Sequence, residues 1–540
     1  METKLLSPTP AGIDEAGRLL ADGQLVAIPT ETVYGLAADA LNADAVREIF
    51  NAKGRPADNP LIVHIADIKD WAPLVKDIPE NAEKLAEAYW PGPLTMILPA
   101  DDKVPSVTRG GLKTVAVRFP AHPVAQAVIL RAGCPLAAPS ANRSGAPSPT
   151  NARRVTEDMQ GRIAAVLDGG DSAVGVESTV VDLSGDKVRL LRPGGITPEM
   201  LEAVVGDIEI DPACTRALEA GAIAASPGMK YKHYAPQASV TLVKGTPAAY
   251  AEFVNAHAGD GVFALCFEED LPQVKVPAIC YGKREDPLTQ AHLVFDALRQ
   301  LDEAGAVTVY AASPKPFGVG LAVYNRMIRA AAHRVVNTIR VIGLTGPTGA
   351  GKSTVADTWV NNGAYRVDAD EAARKVTEPG SPCLAALAEA FSPAILFPDG
   401  SLDRRQLAKQ AFASPEATEK LNAITHPAIM LWITRELENA ADRGCAVAVL
   451  DAPLLFEAGA DSLCDHIVAV TAPAASRQAR ICARDGITPA EAQKRMAAQH
   501  GEEYYARPGV TCLVNDGTPE ELAQKAQALW DDRRNWWGAE

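Results

Sequence analysis

Arg340-Val-Ile-Gly-Leu-Thr-Gly-Pro-Thr-Gly-Ala-Gly-Lys-Ser-Thr-Val355 carries the decisive pattern of this 540-residue chain. Val341-Ile-Gly-Leu344 is a short apolar run suited to a buried strand, glycines crowd the turn after it, and residues 352–360 have a composition compatible with a helix. Gly346, Gly351, Lys352 and Ser353 fit G-x-x-x-x-G-K-[ST]. In such a loop the glycines let backbone N–H groups close around phosphate oxygens, while the lysine and the hydroxyl meet the outer phosphates and Mg²⁺. The pattern predicts a P-loop kinase domain with a parallel sheet. Thr348, Gly349, Ala350 and Thr354 complete the expected ATP contacts.

The loop begins about two thirds of the way along the chain, so a long stretch precedes it. Composition is that of ordinary globular α/β proteins, with 47% hydrophobic and 22% charged residues, and the length allows roughly three or four domains. The net charge of −15 divides almost evenly at residue 340, which argues against a nucleic-acid binder in either part. Nine single cysteines form no C-x-x-C pair, so neither a zinc site nor a redox dithiol is expected. The N-terminus lacks a signal-peptide core and no run reaches about 18 apolar residues, so the expectation is a cytoplasmic protein without a membrane partner.

Upstream, short apolar runs end repeatedly in polar loops: 24–28 before Thr30 and Thr32, 61–65 after Lys53 and Arg55, 114–119 around Arg118, and 134–138 before Ser140, Asn142 and Arg143. With Ser178 and Arg192 these loops offer donors and cations and no convincing nucleophile–base pair, a set suited to binding anions. Taken singly, each has a dull alternative as a turn residue or a solvated side chain. His64, inside an apolar run, would on such terms be a satisfied core histidine.

Pro29-Thr-Glu-Thr-Val-Tyr-Gly-Leu36, Lys53-Gly-Arg-Pro56 with Asn59-Pro-Leu-Ile-Val-His-Ile65, Trp90-Pro-Gly-Pro-Leu-Thr95 and Pro139-Ser-Ala-Asn-Arg-Ser-Gly145 resemble the L-threonylcarbamoyladenylate synthase family, in order over about 200 residues. The resemblance implies a YrdC-like twisted α/β fold with a concave cavity. It also implies a reaction of L-threonine, bicarbonate and ATP giving threonylcarbamoyl-AMP and pyrophosphate, for tRNA modification through a threonylcarbamoyl transferase partner. On matching positions Lys53, Arg55, Ser140, Asn142 and Arg192 are expected to hold phosphates or the threonine carboxylate, with Lys53 and Arg55 catalytic. Thr30, Thr32, His64, Arg118 and Ser178 would shape the threonine and carbamate pocket.

The irregular stretch Ser226-Pro-Gly-Met-Lys-Tyr-Lys-His-Tyr-Ala-Pro236 resembles the linker of the two-domain members, so Tyr231, His233 and Tyr234 are expected to help close the site. Beyond it, alternating strand and helix patterns predict a small parallel, Rossmann-like α/β domain without a catalytic motif. The expected partition is a synthase domain 1–210, a linker 211–237, a small domain 238–337 and a kinase domain 338–540.

In the last part, Asp368 and Asp370 follow a strand pattern at the sheet edge where ligands bind, so an aspartate there could take a proton from a substrate hydroxyl; the alternative is a helix cap. The run Ala446-Val-Ala-Val-Leu450 leads into Asp451, placing an Mg²⁺-associated carboxylate beside the loop. Arg477, Arg480 and Arg484 share one helical face and are expected as a helical lid over phosphates. Together with Gly400-Ser-Leu-Asp-Arg-Arg405, Ile424-Thr-His-Pro427, Asp451-Ala-Pro-Leu-Leu-Phe-Glu457 and Arg484-Asp-Gly486, these motifs resemble dephospho-CoA kinase. That resemblance implies phosphorylation of the ribose 3′-hydroxyl of dephospho-CoA. Asp370 would be general base, Lys352 catalytic, Ser353 and Asp451 the Mg²⁺ partners, Arg404, His426 and Glu457 near the acceptor, and Arg480 and Arg484 in the lid. Two alternatives of another kind stay open: a non-catalytic RNA-binding module upstream, and another small-molecule or nucleoside-monophosphate kinase downstream.

Overall fold

A computed structural model describes residues 2–215, 234–497 and 499–537. The chain forms two compact units, one of residues 1–243 with 250–336 and one of residues 244–249 with 337–540.

The first unit contains two sheets. The larger has eleven strands in the order Lys4–Leu6, Ala165–Leu167, Val26–Ile28, Gly35–Asp39, Leu136–Ala137, Ile62–His64, Thr114–Arg118, Leu94–Pro99, Thr179–Asp182, Arg189–Arg192 and Glu209–Ile210. Pairing is mixed: Ile62–His64 runs parallel to Thr114–Arg118, and that strand runs antiparallel to Leu94–Pro99. Its central strands are buried along their length, which is why they read as continuous apolar runs with no alternation. Register sets the polar ends side by side, with His64 opposite Arg118 and Thr95 opposite Arg118 on the other flank.

The second sheet of this unit runs Ala278–Cys280, Val262–Cys266, Thr308–Ala312, Ser239–Lys244, Val335–Asn337, and its first four strands are parallel. Helix Pro287–Glu303 starts on Asp286, whose carboxylate accepts from the Leu288 and Thr289 N–H groups, and proline follows at the first helical position. Helix Val319–Ala330 packs beside it and is buried on almost every side. It brings Arg326 and Asn325 against residues of the larger sheet's layer: Asn325 donates to Cys214 O at 2.8 Å.

The other unit is a five-stranded parallel sheet ordered Tyr365–Asp368, Val447–Asp451, Arg340–Thr345, His466–Thr471, Val510–Val514. The loop-bearing strand is therefore central, with Leu344 and Asp368 both opposite Asp451 at the carboxyl edge. Gly343 lets it pass close to the next layer, since a Cβ there would lie 2.8 Å from Cys464 Sγ and 2.9 Å from Leu455 Cδ2. The helix after the loop spans Lys352–Asn361 and ends on Asn362. The strand before Asp370 spans Tyr365–Asp368, and Asp370 belongs to the first turn of helix Ala369–Lys375. Asp368 is the reason: its carboxylate accepts from the Asp370 and Glu371 N–H groups and starts the helix.

Candidate active sites

One cavity of the first unit, about 730 Å³ with its open mouth, is lined by Thr30, Thr32, Lys53, Arg55, His64, Arg118, Ser140, Asn142, Ser178, Arg192 and Tyr234. These lie up to 204 positions apart and come from strand ends, the loops between elements and the C-terminal end of helix Ala43–Lys53. Tyr231 and His233 lie outside the described residues.

The cavity's side chains are already organised. Lys53 ends helix Ala43–Lys53, and its ammonium donates to Ser140 O, to Asn142 O at 2.6 Å and to Asn142 Oδ1 at 3.4 Å. It thus ties the 140–142 turn to the helix. Burial pushes the Lys53 pKa well down, and Arg55 beside it pushes the same way. Ser140 Oγ donates to Asn142 Oδ1, while Asn142 Nδ2 donates to Arg143 O and Ala146 O.

Arg118 is buried at 3% exposure and reaches Gly92 O at 3.3 Å and Thr32 Oγ1 at 2.8 Å. Its Nη2 stands 2.7 Å from Glu31 Oε1 as an ion pair without hydrogen-bond alignment, and both Glu31 oxygens lack a hydrogen-bond partner. Burial would raise the Glu31 pKa, but the Arg118 guanidinium and nearby backbone N–H groups together outweigh it, so the carboxyl is held low. Thr30 and Thr32 hydroxyls lie 2.9 Å apart. His64 Nδ1 contacts Ile62 O at 3.1 Å, and burial with Arg118 close by takes its pKa down to about 3, so the ring is neutral at ordinary pH. Arg192 donates to Ser178 O and Oγ, and Ser178 Oγ meets Thr95 Oγ1 at 2.8 Å. Burial takes Arg192 down to about 10, which leaves it charged at neutral pH.

Glu177 went unnoticed in the sequence although a glutamate in the run Val176-Glu-Ser-Thr-Val-Val181 is itself a signal. It lines the cavity and pairs with Arg326 Nε at 2.9 Å, while Ser148 Oγ donates to its other oxygen. Burial alone would raise its pKa, but Arg326 and then Arg192 hold it low. Arg326 also donates to Pro193 O and Glu177 O, so the helix Val319–Ala330 fixes one wall of the cavity. Four cations, Lys53, Arg55, Arg118 and Arg192, face one lining carboxylate, an arrangement suited to anions.

In the other unit the loop 346–351 needs its glycines. Gly346, Gly349 and Gly351 have φ of +134°, +80° and +109°. A Cβ at Gly346 would come 2.1 Å from Val470 O, and one at Gly351 2.5 Å from Asn515 Nδ2. Lys352 Nζ donates to Gly346 O at 2.8 Å; burial lowers its pKa against the opposing charges of Asp451 and Asp370. Ala350 is fully buried and its carbonyl accepts from Asn515 Nδ2 at 2.7 Å. Ser353 and Thr354 open the following helix, Ser353 exposed.

Arg480 donates to Gly349 O at 3.3 Å, Asn515 Oδ1 at 3.1 Å and Gly517 O at 3.4 Å. Arg477 Nε meets Thr348 O at 3.0 Å. These two arginines of helix Ala474–Asp485 brace the loop's backbone, and Arg484 is held by Asp485 at 2.7 and 2.9 Å. Gln499 grips Thr348 twice at 3.0 Å. Neither Asn515 nor Gln499 stands out by residue type, since only the fold brings them to the loop.

Asp370 is exposed on the helix that Asp368 caps, and its charge acts on Lys352. Asp451 is buried and bound to Arg366 Nη2 at 2.6 Å; burial raises its pKa more than Arg366 lowers it. Arg404 donates to Thr377 Oγ1 at 3.1 Å, His426 is half-buried in the helix Pro415–Asp442, and Glu457 lies 3.4 Å from His500 Nε2. A hydroxyl and a carboxylate oxygen beside a phosphate loop are hard donors that fit Mg²⁺, which needs one or two carboxylates when phosphates and water complete its shell. Among the described residues no cluster of three or more His, Cys, Asp or Glu could hold a metal by itself.

Comparison with known proteins matches three family models along the chain. The Sua5/YciO/YrdC family model described as Telomere recombination matches residues 18–194, the Threonylcarbamoyl-AMP synthase, C-terminal domain model matches 196–332, and the Dephospho-CoA kinase model matches 340–521. Threonylcarbamoyl-AMP synthase of Bacillus subtilis (strain 168) is 46% identical over 339 residues, 62% of this chain and 97% of that protein. Dephospho-CoA kinase of Corynebacterium jeikeium (strain K411) is 45% identical over 189 residues, 35% of this chain and 97% of that protein. The crystal structure of Pyrococcus abyssi Sua5 complexed with L-threonine is 42% identical, with a TM-score of 0.58, covering 62% of this chain and 99% of that one. With nearly the whole length of both kinds of relative covered, the chain belongs to the threonylcarbamoyl-AMP synthase family through residues 18–332 and to the dephospho-CoA kinase family through residues 340–521, a fusion of two enzymes.

Proposed function

We propose that this bifunctional enzyme makes threonylcarbamoyl-AMP and pyrophosphate from L-threonine, bicarbonate and ATP in its first unit, and phosphorylates the ribose 3′-hydroxyl of dephospho-CoA with ATP in its second. The observation that carries the first half is the cavity lined by eleven of the side chains that the family resemblance singled out.

The synthase step joins two anions: a threonine carbamate oxygen attacks the α-phosphorus of ATP, and pyrophosphate leaves. Arg55, Arg192 and the turn 140–142 held by Lys53 offset that repulsion by binding phosphates or the threonine carboxylate, with Lys53 and Arg55 acting on the reacting groups. Thr30, Thr32, Arg118, Ser178 and neutral His64 shape the threonine end, and Tyr231, His233 and Tyr234 close it. The product serves tRNA modification through a threonylcarbamoyl transferase partner, without direct nucleic-acid binding by this chain and in the cytoplasm.

In the kinase, backbone N–H groups of 346–351 and Lys352 hold the ATP phosphates. Asp370 takes the proton of the 3′-hydroxyl as its oxygen bonds to the γ-phosphorus and ADP leaves. Ser353 and Asp451 would hold Mg²⁺, which would supply charge neutralisation at the ATP phosphates. Arg404, His426 and Glu457 seat the acceptor, while Arg480 keeps the loop in shape and Arg484 completes the lid. The domain partition is 1–210, linker 211–237, 238–337 and 338–540. The test is direct product analysis by mass spectrometry: threonylcarbamoyl-AMP with threonine and bicarbonate, CoA with dephospho-CoA. Salt-sensitive RNA affinity without threonine-dependent turnover, or phosphorylation of another acceptor only, would overturn the corresponding half.

A further inference from the structure

A second cavity of the first unit lies outside the anion-binding site and is built for the opposite charge. The half-buried rings of Trp90 and Phe119 line it, with the buried Trp71 (3% exposed) at its floor, Ile68 and Ala86 extend its apolar surface, and Glu83 and Glu87 stand on its rim. Trp71 and Trp90 meet edge to face with ring centroids 4.8 Å apart. The two glutamates are four residues apart in helix Glu80–Tyr89, on one face and both exposed. Ile68 is 51% exposed beside them. Aromatic faces attract a cation through their quadrupole, and carboxylates at the rim fix its charge, while the apolar floor takes an alkyl stem.

The cavity also shares a wall with the synthase site. Gly92 N donates to Phe119 O at 2.7 Å and Gly92 O accepts from Arg118 Nε at 3.3 Å, so the turn after Trp90 is clamped to the strand end that carries Arg118. Arg118 ends that strand and lines the anion cavity, while the next residue, Phe119, lines the aromatic one.

We propose that this aromatic, acid-rimmed cavity is a docking site for a lysine or arginine side chain of a partner protein, presented from a basic segment. Charge complementarity carries the assignment: the rim offers two carboxylates, and the walls favour a cation with an apolar stem. The site stands whether or not the assigned synthase reaction is right, because binding can be read without turnover.

The test uses the full chain and two twelve-residue peptides, one with alternating lysine and arginine and one with norleucine and citrulline in their places, followed by calorimetry and by the tryptophan indole N–H signals in NMR. The cationic peptide is expected to bind and to shift the Trp71 and Trp90 signals, and the neutral one to bind at least about tenfold more weakly. E83Q/E87Q, checked for an unchanged melting temperature, is expected to weaken binding about tenfold, and E252Q/D260N, which removes the same charge at exposed positions elsewhere, to leave it within twofold. Equal losses in the two double variants would reduce the effect to the net charge of −15 and overturn the proposal. Equal binding of the neutral peptide, or binding of free tetramethylammonium with no response to either peptide, would also overturn it.

Discussion

Replacing Arg326 by methionine tests how the helix Val319–Ala330 supports the synthase cavity. The Arg326 side chain is fully buried and that of Glu177 is 9% exposed, with 2.9 Å between their charged atoms. Removing one partner of a buried ion pair costs about 3–5 kcal/mol, because the other charge is left uncompensated. For a unit of about 330 residues, melting entropy near 2.1 cal/mol/K per residue turns that loss into a melting shift of about 4–7 °C. The pH dependence has a definite sign. The folded Glu177 pKa is depressed, so the pair's stabilisation is present above the ordinary carboxylate value of 4.5 and is lost as pH falls through the folded value. The gap between wild type and R326M is therefore largest near pH 7 and closes in acid. Calorimetric melts from about pH 3 to 8 read it, with threonine-dependent pyrophosphate release at neutral pH as the functional measure. R326M/E177Q, which removes both charges, should recover part of the loss. An R326M protein that melts within 1 °C of wild type at pH 7 would refute the reasoning.

Three further outcomes are expected. G351A, whose Cβ would meet Asn515 Nδ2 at 2.5 Å and Leu522 Cδ2 at 2.7 Å, should lower CoA formation about a hundredfold or more through loop displacement, measured by coupled ADP release. D370N should lower kcat about 10²- to 10⁴-fold while nucleotide affinity, measured by calorimetry, stays near wild type; an equal loss of affinity would contradict its role as base. His64, with a folded pKa of about 3 against 6.5 unfolded, makes stability fall with pH below 6.5, by roughly 2–3 kcal/mol at pH 4.5. H64N should flatten that acid limb, and a His64 NMR titration midpoint near 6.5 would rule the effect out.

The strands and the phosphate loop were legible because local composition dictates them: central strands buried on both faces read as unbroken apolar runs, and only glycine tolerates the loop's positive φ angles. Resemblance to the two families drew together residues as distant as Thr30 and Tyr234, which spacing alone could not do. What stayed hidden depends on tertiary pairing. Arg326 lies 149 positions from Glu177, and although a glutamate inside an apolar run is a local signal, nothing local names Arg326 as its partner. Asn515 and Gln499 meet the loop only once the sheet is assembled. The arginine stripe was visible as one helical face, but the direction in which Arg480 points, back onto Gly349 and Asn515, follows from how that face packs. Asp368 and Asp370 were a pair with two readings, cap or base, and the fold divides them: Asp368 caps the helix, which leaves Asp370 exposed near the charge of Lys352.

The central claim, two separate active sites in one chain, is tested most directly by assaying both reactions on wild type, K53A and K352A. The K53A protein should lose pyrophosphate release that depends on threonine and bicarbonate, because the turn 140–142 loses its anchor, and should still make CoA. K352A should show the reverse. Loss of both activities from either substitution in a protein with wild-type melting, or retention of both, would contradict the account.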